Sequence, residues 1–257
     1  RKSLGLRTCL RWRRRTARRR KTVPSLLASA PLGLTRWLMT DFRYYATWTG
    51  TKQNLAAMEA AGIGLILGPD QLERGATSWG FRYGLDNGAW GAFQRGGAFD
   101  SVAFWAVLER WGKVWQSSQA PDWIVAPDIV GGGLDSLALS LRWLSYVRQY
   151  GRPLLAVQDG MNVDDVARYV DDKCGIFVGG STEWKWTTLS TWARLAKDMG
   201  AYIHCGRVNS ARGIAICRGL GIDSADGTSC TRFSVNAEKL GKAATEPAVQ
   251  LGMWGAS

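Results

Sequence analysis

Short apolar runs rich in Val, Ile, Leu and aromatic residues recur along the chain from residue 39 onward, separated by polar and glycine-rich stretches. Apolar runs of about four to eight residues bounded by turn residues are typical of buried strands. Eight runs fit this description: residues 42–48, 63–67, 82–86, 123–128, 153–158, 175–179, 201–206 and 221–226. We therefore predict eight strands.

Helical patterns lie between these runs, with large apolar residues three and four positions apart. Such spacing places the residues on one face of a helix. The sets are Phe104, Leu108, Trp111 and Trp115; Leu134, Leu137, Leu141 and Leu144; and Leu189, Trp192, Leu195 and Met199. Asn162 is a candidate N-cap for a helix over residues 163–170, and Asn209 for one over residues 211–218.

Strands that alternate with helices predict an α/β fold, and eight of them predict a compact (β/α)8 TIM barrel over residues 39–257. A doubly wound open sheet is the alternative. The number of strands, and the polar residues that end so many of them, favour the barrel. Residues 240–257 are expected to form a closing helix and a loose end.

The charge balance changes sharply near residue 39. The chain has 33 Lys and Arg, 21 Asp and Glu, and a formal net charge of +12. Residues 1–38 carry 12 of the basic residues and none of the acidic ones, so residues 39–257 have no net charge. The high pI therefore describes the N-terminal segment, and it does not by itself make the folded part a nucleic-acid binder.

Three interpretations compete for residues 1–38. Their Arg-rich, acid-free composition and short apolar stretch fit a presequence, although Pro24, Pro31 and Arg36 interrupt that stretch. The segment also fits a basic arm that holds phosphates. The third interpretation, which we favour, is a disordered extension outside the fold, which need not belong to the natural product.

Cysteine, histidine and hydropathy patterns exclude several classes of protein. Five scattered cysteines do not form a secreted disulfide framework, and Cys205 and Cys230 read as small buried residues. His204 is the only histidine, so zinc sites and catalytic schemes that need two histidines are excluded. No apolar run approaches the about 18 residues of a membrane span. We expect a cytoplasmic protein (the host cell's cytoplasm if phage-encoded) with no metal, no cofactor and no membrane partner.

Carboxylates and an amide follow several predicted strands, where barrel enzymes carry their chemistry. Asp86, Asp128, Gln158 and Asp226 stand at such ends. Two carboxylates facing a C1′ carbon suit glycosidic chemistry, in which one attacks or stabilises the sugar and the other moves a proton. Each residue also has an ordinary interpretation as a turn residue, a helix cap or a group that satisfies backbone, and Asp223 is the alternative to Asp226.

Taken together, these strand ends resemble the tRNA-guanine transglycosylase superfamily, whose barrel carries D-S-G-G-F-Q, D-E, V-Q-G-G, a Gly-Gly strand end and D-x-x-x-P-T-R in that order. The corresponding positions here are residues 86–90 (Asp-Asn-Gly-Ala-Trp), Pro127-Asp128, residues 157–160 (Val-Gln-Asp-Gly), residues 178–180 (Val-Gly-Gly), and Asp226 with Thr231-Arg232. The resemblance runs from about residue 85 to residue 232.

The resemblance implies a role for each matching residue. Asp226 is expected to attack C1′ and expel guanine, and Asp86 to act as general acid and base. Asp128 and Gln158 are expected to read the base edge, with Gly179 and Gly180 placing backbone against the base. From the residues themselves, Trp90, Trp184 and His204 are candidates to line the pocket, each weighed against plain packing. Arg207 and Lys185 are candidates for phosphate contact.

This chain also departs from the family pattern. Ala89 replaces the second glycine of G-G-F-Q, and Cys230 replaces the proline of P-T-R. No Cys follows Cys230 and no His follows His204, so the family's zinc-binding subdomain is not expected. A compact, Trp-rich chain without zinc ligands resembles the phage and genomic-island branch, which inserts 7-deazaguanines into DNA.

The sequence thus predicts a base-exchange transglycosylase that acts on nucleic acid and takes up a free 7-deazaguanine base. DNA is favoured over tRNA as the substrate. A partner subunit that replaces the missing subdomain fits this interpretation. The alternatives are a barrel N-glycosidase or nucleosidase that gives the sugar to water, and a non-catalytic barrel that binds nucleic acid.

Overall fold

The computed structural model describes residues 41–69, 71, 80–115 and 120–246. Eight parallel strands form a closed barrel in sequence order, with the last strand paired to the first. The strands are β1 (Arg43–Thr47), β2 (Gly64–Leu67), β3 (Tyr83–Leu85), β4 (Ile124–Val125), β5 (Pro153–Val157), β6 (Gly175–Val178), β7 (Ile203–Cys205) and β8 (Ser224–Gly227). The predicted α/β barrel and all eight predicted strands are confirmed, although most strands are shorter than the apolar runs.

Helices follow the strands and cover the barrel. They are α1 (Lys52–Ala60), α2 (Ala89–Gln94), α3 (Ser101–Trp115), α4 (Gly133–Val147), α5 (Val163–Val166), α6 (Thr182–Asp198), α7 (Ala211–Gly219), α8 (Ser229–Arg232) and α9 (Val235–Thr245). The apolar spacing places the helices, with Leu137 and Leu144 of α4 and Leu189 of α6 buried against the barrel. Leu134 and Met199 of the same predicted sets are exposed, so for these two residues the prediction is wrong.

One of the two predicted helix caps is confirmed and the other is wrong. Asn162 caps α5 in a capping box with Asp165, and the helix then tightens into a 3-10 turn over Ala167–Tyr169. Asn209 does not cap α7, because the Ser210 hydroxyl accepts the hydrogen bond from Gly213 N instead. The Asn209 amide oxygen accepts hydrogen bonds from the backbone N–H groups of Thr228 and Ser229, at the start of α8.

Aromatic side chains fill the inside of the barrel. Trp123 and Tyr45 are fully buried there, with ring centroids 5.4 Å apart. Gly84 of β3 makes room for Trp123, because a Cβ atom at residue 84 would overlap the indole ring. The larger apolar cluster lies between the strands and the helices and includes Cys205 and Cys230, which are buried as predicted.

The predictions for residues 1–38 and for the end of the chain after residue 246 lie outside the described residues. Within the described ranges, no helix is long and apolar enough to cross a membrane.

Candidate active site

The predicted site residues lie at the carboxyl ends of their strands, and these ends meet at one end of the barrel. Asp86 comes directly after β3, Asp128 follows β4, Gln158 follows β5, Gly179 and Gly180 follow β6, and Asp226 lies in β8. This is the carboxyl end of a closed parallel barrel, where TIM-barrel enzymes carry their active sites.

Asp226 is a buried carboxylate with two nitrogen partners on one of its oxygens. The residue is 7% exposed. Its Oδ1 lies 3.1 Å from His204 Nε2, and it accepts a hydrogen bond of 3.1 Å from the backbone N–H of Arg207. Its Oδ2 receives no hydrogen bond from the residues that the structure describes. The carboxylate is therefore fixed through one oxygen, which leaves the other for chemistry.

His204 does not line a pocket, because its ring is fully buried. The ring stacks on Phe177 at a centroid distance of 5.0 Å and contacts Trp123 at 4.6 Å. Both ring nitrogens have partners, since Nδ1 lies 2.7 Å from the Ser224 hydroxyl and Nε2 faces Asp226. The alternative interpretation of His204 as a satisfied histidine inside the barrel therefore fits the structure, and its contact with Asp226 gives it an indirect role.

Asp86 differs from Asp226 in its electrostatic environment. Burial, followed by the negative charge of Asp128, raises the pKa of the Asp86 carboxyl to about 6. The charge of Asp226 acts in the same direction, whereas the backbone N–H of Gly88 opposes the shift. A carboxyl group with this pKa is about half protonated near pH 6 and mostly ionised at neutral pH, so it can both give up and take back a proton, as general acid–base chemistry requires.

Asn87 joins the ends of β3 and β4. Its Nδ2 donates to Asp128 Oδ1 and to the Ala126 carbonyl, both at 2.8 Å, and its Oδ1 accepts from Ala89 N at 2.8 Å. Burial raises the pKa of Asp128, and the bond from Asn87 partly offsets this effect. Asn87 thus fixes the distance between Asp86 and Asp128.

Removing the Asn87 amide should destabilise the protein. We expect Asn87→Ala to lower the free energy of unfolding by about 2–4 kcal/mol, because it leaves buried backbone and carboxylate groups without partners. Denaturant unfolding measures the loss. The matched control is Asn54→Ala, which removes one buried amide bond, from Nδ2 to the Thr231 carbonyl at 2.7 Å, and should cost about 1 kcal/mol. Equal losses in the two variants would contradict a bridging role for Asn87.

The Gln158 amide is occupied by backbone. Its Oε1 accepts from Gly131 N at 2.6 Å and its Nε2 donates to the Ile129 carbonyl at 2.8 Å. The side chain is 4% exposed. These bonds favour the ordinary interpretation, in which Gln158 holds the loop after β4 in place.

Gly180 and Gly179 differ in how much space surrounds the position of a Cβ atom. Gly180 has a φ of 70° and is tightly enclosed, because a Cβ atom would lie 2.6 Å from the Trp184 ring and 2.7 Å from Asp159 Oδ2. A Cβ atom at Gly179 would meet nothing closer than the Val157 carbonyl at 3.5 Å. Gly180 is therefore needed for the turn into α6, whereas Gly179 has ordinary space around it.

Arg207 spans the mouth of the barrel. Its guanidinium lies 5.0 Å from the centroid of the Trp90 ring, and it donates a hydrogen bond to the Gly180 carbonyl. Among the residues that the structure describes, Arg207 is the one non-glycine residue with a positive φ, which is 59°. The Trp90 ring is 42% exposed and stacks on Phe93 at 5.9 Å, so Trp90 is an exposed aromatic residue beside Arg207, and its contact with substrate stays a prediction.

Two predictions about neighbouring charged residues are wrong. Lys185 is not available to a phosphate, because it is 1% exposed and its Nζ donates to the Gly206 carbonyl at 2.6 Å. Lys185 instead supports the segment that carries Arg207. Asp223 precedes β8, at the opposite end of the barrel from the mouth, where its Oδ2 accepts from Ile203 N at 2.8 Å. It is therefore not an alternative to Asp226.

Sequence reasoning missed the residues that support the carboxylates. Asn87 lies within the motif at residues 86–90 but was given no role of its own, Tyr202 carries no signal, and Ser224 is marked only by its alternation with Asp226. Tyr202 Oη donates to Ser224 Oγ at 2.7 Å, and Ser224 contacts His204. Alternation along β8 places Ser224 and Asp226 on the same face of the strand, which is the one signal that links them.

A cavity of about 320 Å³ opens at the amino ends of β1 and β2, away from these residues. Its lining includes Arg43, Tyr45 and Arg82, and none of the predicted site residues. Both arginines pair with Asp122, which also accepts from the Tyr45 hydroxyl at 2.8 Å. This network closes the base of the barrel, so we place the chemistry at the other end. Within the described residues, no group of three or more His, Cys, Asp or Glu side chains is arranged to hold a metal ion.

No family model and no curated protein matches the chain. The functional inference therefore depends on the geometry of the site.

The raised pKa of Asp86 has a consequence for stability. The folded state binds this proton more tightly than the unfolded state, so its stability falls as the pH rises from about 4 to about 6, and the loss persists above that. Asp86→Asn should therefore raise the free energy of unfolding by about 2–3 kcal/mol at pH 7, and by nothing below about pH 4. Denaturant unfolding across this pH range measures the difference. A gain that does not vary with pH would contradict the raised pKa.

Proposed function

We propose that this protein is a base-exchange transglycosylase that replaces guanine in nucleic acid with a free 7-deazaguanine. We favour DNA over tRNA as its substrate. The observation that carries the proposal is the pair of unequal carboxyl groups at the mouth. Asp226 has two nitrogen partners on Oδ1, the backbone N–H of Arg207 and His204 Nε2, whereas Asp86 has a pKa of about 6. Carboxyl groups whose environments differ in this way divide into nucleophile and general acid.

The reaction proceeds through a covalent intermediate. Asp226 Oδ2 attacks C1′ of the target nucleoside, a C1′–O bond forms, and the C1′–N9 bond breaks with its electron pair going to guanine. Asp86 gives its proton to the departing base. The incoming 7-deazaguanine then gives its N9 proton to Asp86, N9 attacks C1′, and the ester to Asp226 breaks. Both carboxyl groups return to their starting states.

The mouth supports a nucleic-acid substrate. A nucleotide must leave its stack before C1′ can meet a buried carboxylate. The Trp90 ring is 42% exposed with the Arg207 guanidinium over it, so an unstacked base can pack beside an aromatic ring and a positive charge. Because residues 39–257 carry no net charge, phosphate contacts must come from local groups such as Arg207, from residues 1–38, or from a partner subunit.

The test is exchange of radiolabelled guanine into duplex DNA and into tRNA by the full chain, with abasic sites counted in parallel. We expect label to enter DNA, with one guanine released for each base incorporated. Label entering tRNA alone would change the substrate and keep the reaction. Abasic sites without incorporation would identify a hydrolase. Binding of either polymer without incorporation or abasic sites would identify a binding protein and overturn the proposal.

A further inference from the structure

A chain of hydrogen bonds runs along the inside of the barrel behind Asp226. Tyr202 Oη donates to Ser224 Oγ at 2.7 Å, Ser224 Oγ lies 2.7 Å from His204 Nδ1, and His204 Nε2 lies 3.1 Å from Asp226 Oδ1. Ser224 and His204 are fully buried. The four side chains come from two neighbouring strands, β7 and β8, and from the residue that precedes β7.

The chain has a direction. Burial raises the pKa of Tyr202 to about 12, so its hydroxyl stays protonated and acts as the donor. Ser224 accepts this bond and is left to donate its own hydrogen to His204 Nδ1. Nδ1 then has no proton, which places the ring proton on Nε2, where it faces the Asp226 carboxylate. The partner of one imidazole nitrogen thus sets the protonation of the other.

The ring of His204 is also held in orientation. Phe177 stacks on it with an interplanar angle of 19°, and Trp123 lies against it. A ring packed in this way cannot turn to exchange Nδ1 and Nε2 without moving its neighbours.

We infer that Tyr202, Ser224 and His204 are positioning residues for the nucleophile: they direct an N–H at Asp226 Oδ1, which fixes the carboxylate and leaves Oδ2 for the sugar. The role in turnover rests on the proposed function, whereas the tautomer of His204 does not. Neither Tyr202 nor Ser224 contacts substrate, so their effect is expected on kcat and not on KM.

The tautomer can be read without substrate. Because His204 is the only histidine of the chain, labelling an untagged protein with 15N-histidine gives the nitrogen signals of one imidazole. At neutral pH we expect Nε2 to show the shift of a protonated nitrogen and Nδ1 that of an unprotonated one. In Tyr202→Phe, Ser224 can accept as well as donate, so a second form with a proton on Nδ1 should become visible.

The matched control is Tyr169→Phe. Tyr169 is also half-buried under an arginine, Arg168, just as Tyr202 lies under Arg152, and it has no part in the chain. We expect Tyr202→Phe to lower kcat by about 3- to 10-fold and Ser224→Ala by about 10- to 100-fold at unchanged KM, as supporting partners of active-site histidines do. Tyr169→Phe should change neither kcat nor the 15N spectrum.

Two outcomes would overturn the inference: wild-type protein with the proton on Nδ1, or a Tyr202→Phe variant indistinguishable from Tyr169→Phe in both spectrum and kcat. If wild-type protein shows the expected tautomer and Tyr202→Phe alters it, but no base exchange occurs, the proposed function fails. The inference that Tyr202 and Ser224 set the tautomer of His204 then still stands. The two failures are therefore separable.

Discussion

Replacing the proposed nucleophile, Asp226→Asn, is expected to lower kcat for base exchange by about 10,000-fold or more, since removing a nucleophile eliminates the covalent route. An amide keeps the size of the side chain, and its oxygen can still accept from Arg207 N and from His204 Nε2. The fold should therefore persist. Wild-type protein stopped with acid during turnover should carry the labelled sugar covalently, whereas the variant should carry none.

Asp223→Asn is the matched control for this experiment. It makes the same chemical change three residues away in the sequence, at the opposite end of the barrel, where the amide oxygen can still accept from Ile203 N. We expect its exchange rate to stay within about twofold of wild type, as for a substitution remote from the reacting atoms. A covalent adduct that survives in Asp226→Asn, or an equal loss in Asp223→Asn, would remove Asp226 from the mechanism.

The second large effect is expected at Asp86. Asp86→Asn should lower kcat/KM by about 100- to 10,000-fold, the usual contribution of a general acid. In wild-type protein, the leaving base takes its proton from neutral Asp86, so kcat/KM should fall about tenfold per pH unit above a pH of about 6. Asp86→Asn should lose this pH dependence, which a pH series of kcat/KM measures.

Asp128→Asn tests the cause of the raised pKa. The charge of Asp128 contributes to the shift at Asp86, and the variant removes that charge, so the fall in kcat/KM should begin at lower pH. An unchanged pH profile would show that the charge of Asp128 does not contribute to the raised pKa of Asp86. If kcat/KM still falls with rising pH in the Asp86→Asn variant, the proton given to the leaving base comes from another group.

Much of the fold could be predicted because its signals are local. The apolar runs that became β2 and β5 are buried along their whole length, which gives continuous hydrophobicity, and Leu137 and Leu144 mark the inner face of α4. The lengths of the strands were less predictable than their positions. Only Ile124 and Val125 of the run over residues 123–128 form β4, although the Trp123 carbonyl still accepts from Leu85 N and Ala126 N still donates to the Leu154 carbonyl.

The site was predictable as far as strand ends are visible in the sequence. Asp86, Asp128 and Asp226 stand at such ends, and a parallel barrel brings them together. The contacts of Asn87 with Asp128 and of Gln158 with Ile129 depend on loop paths between different strands, which no local pattern encodes. Lys185 reads as an exposed base in the sequence, yet the curvature of the barrel turns its amine inward to the Gly206 carbonyl.

The fit of Trp123 against Gly84 has an evolutionary consequence. Any side chain at residue 84 would overlap the indole, and any smaller residue at 123 would leave a void beside His204. The two positions are therefore expected to change together: homologues that carry Ala or Val at the position of Gly84 should carry a smaller residue in place of Trp123. Paired substitution of this kind would mark descendants of this barrel even where the strand-end motifs have diverged.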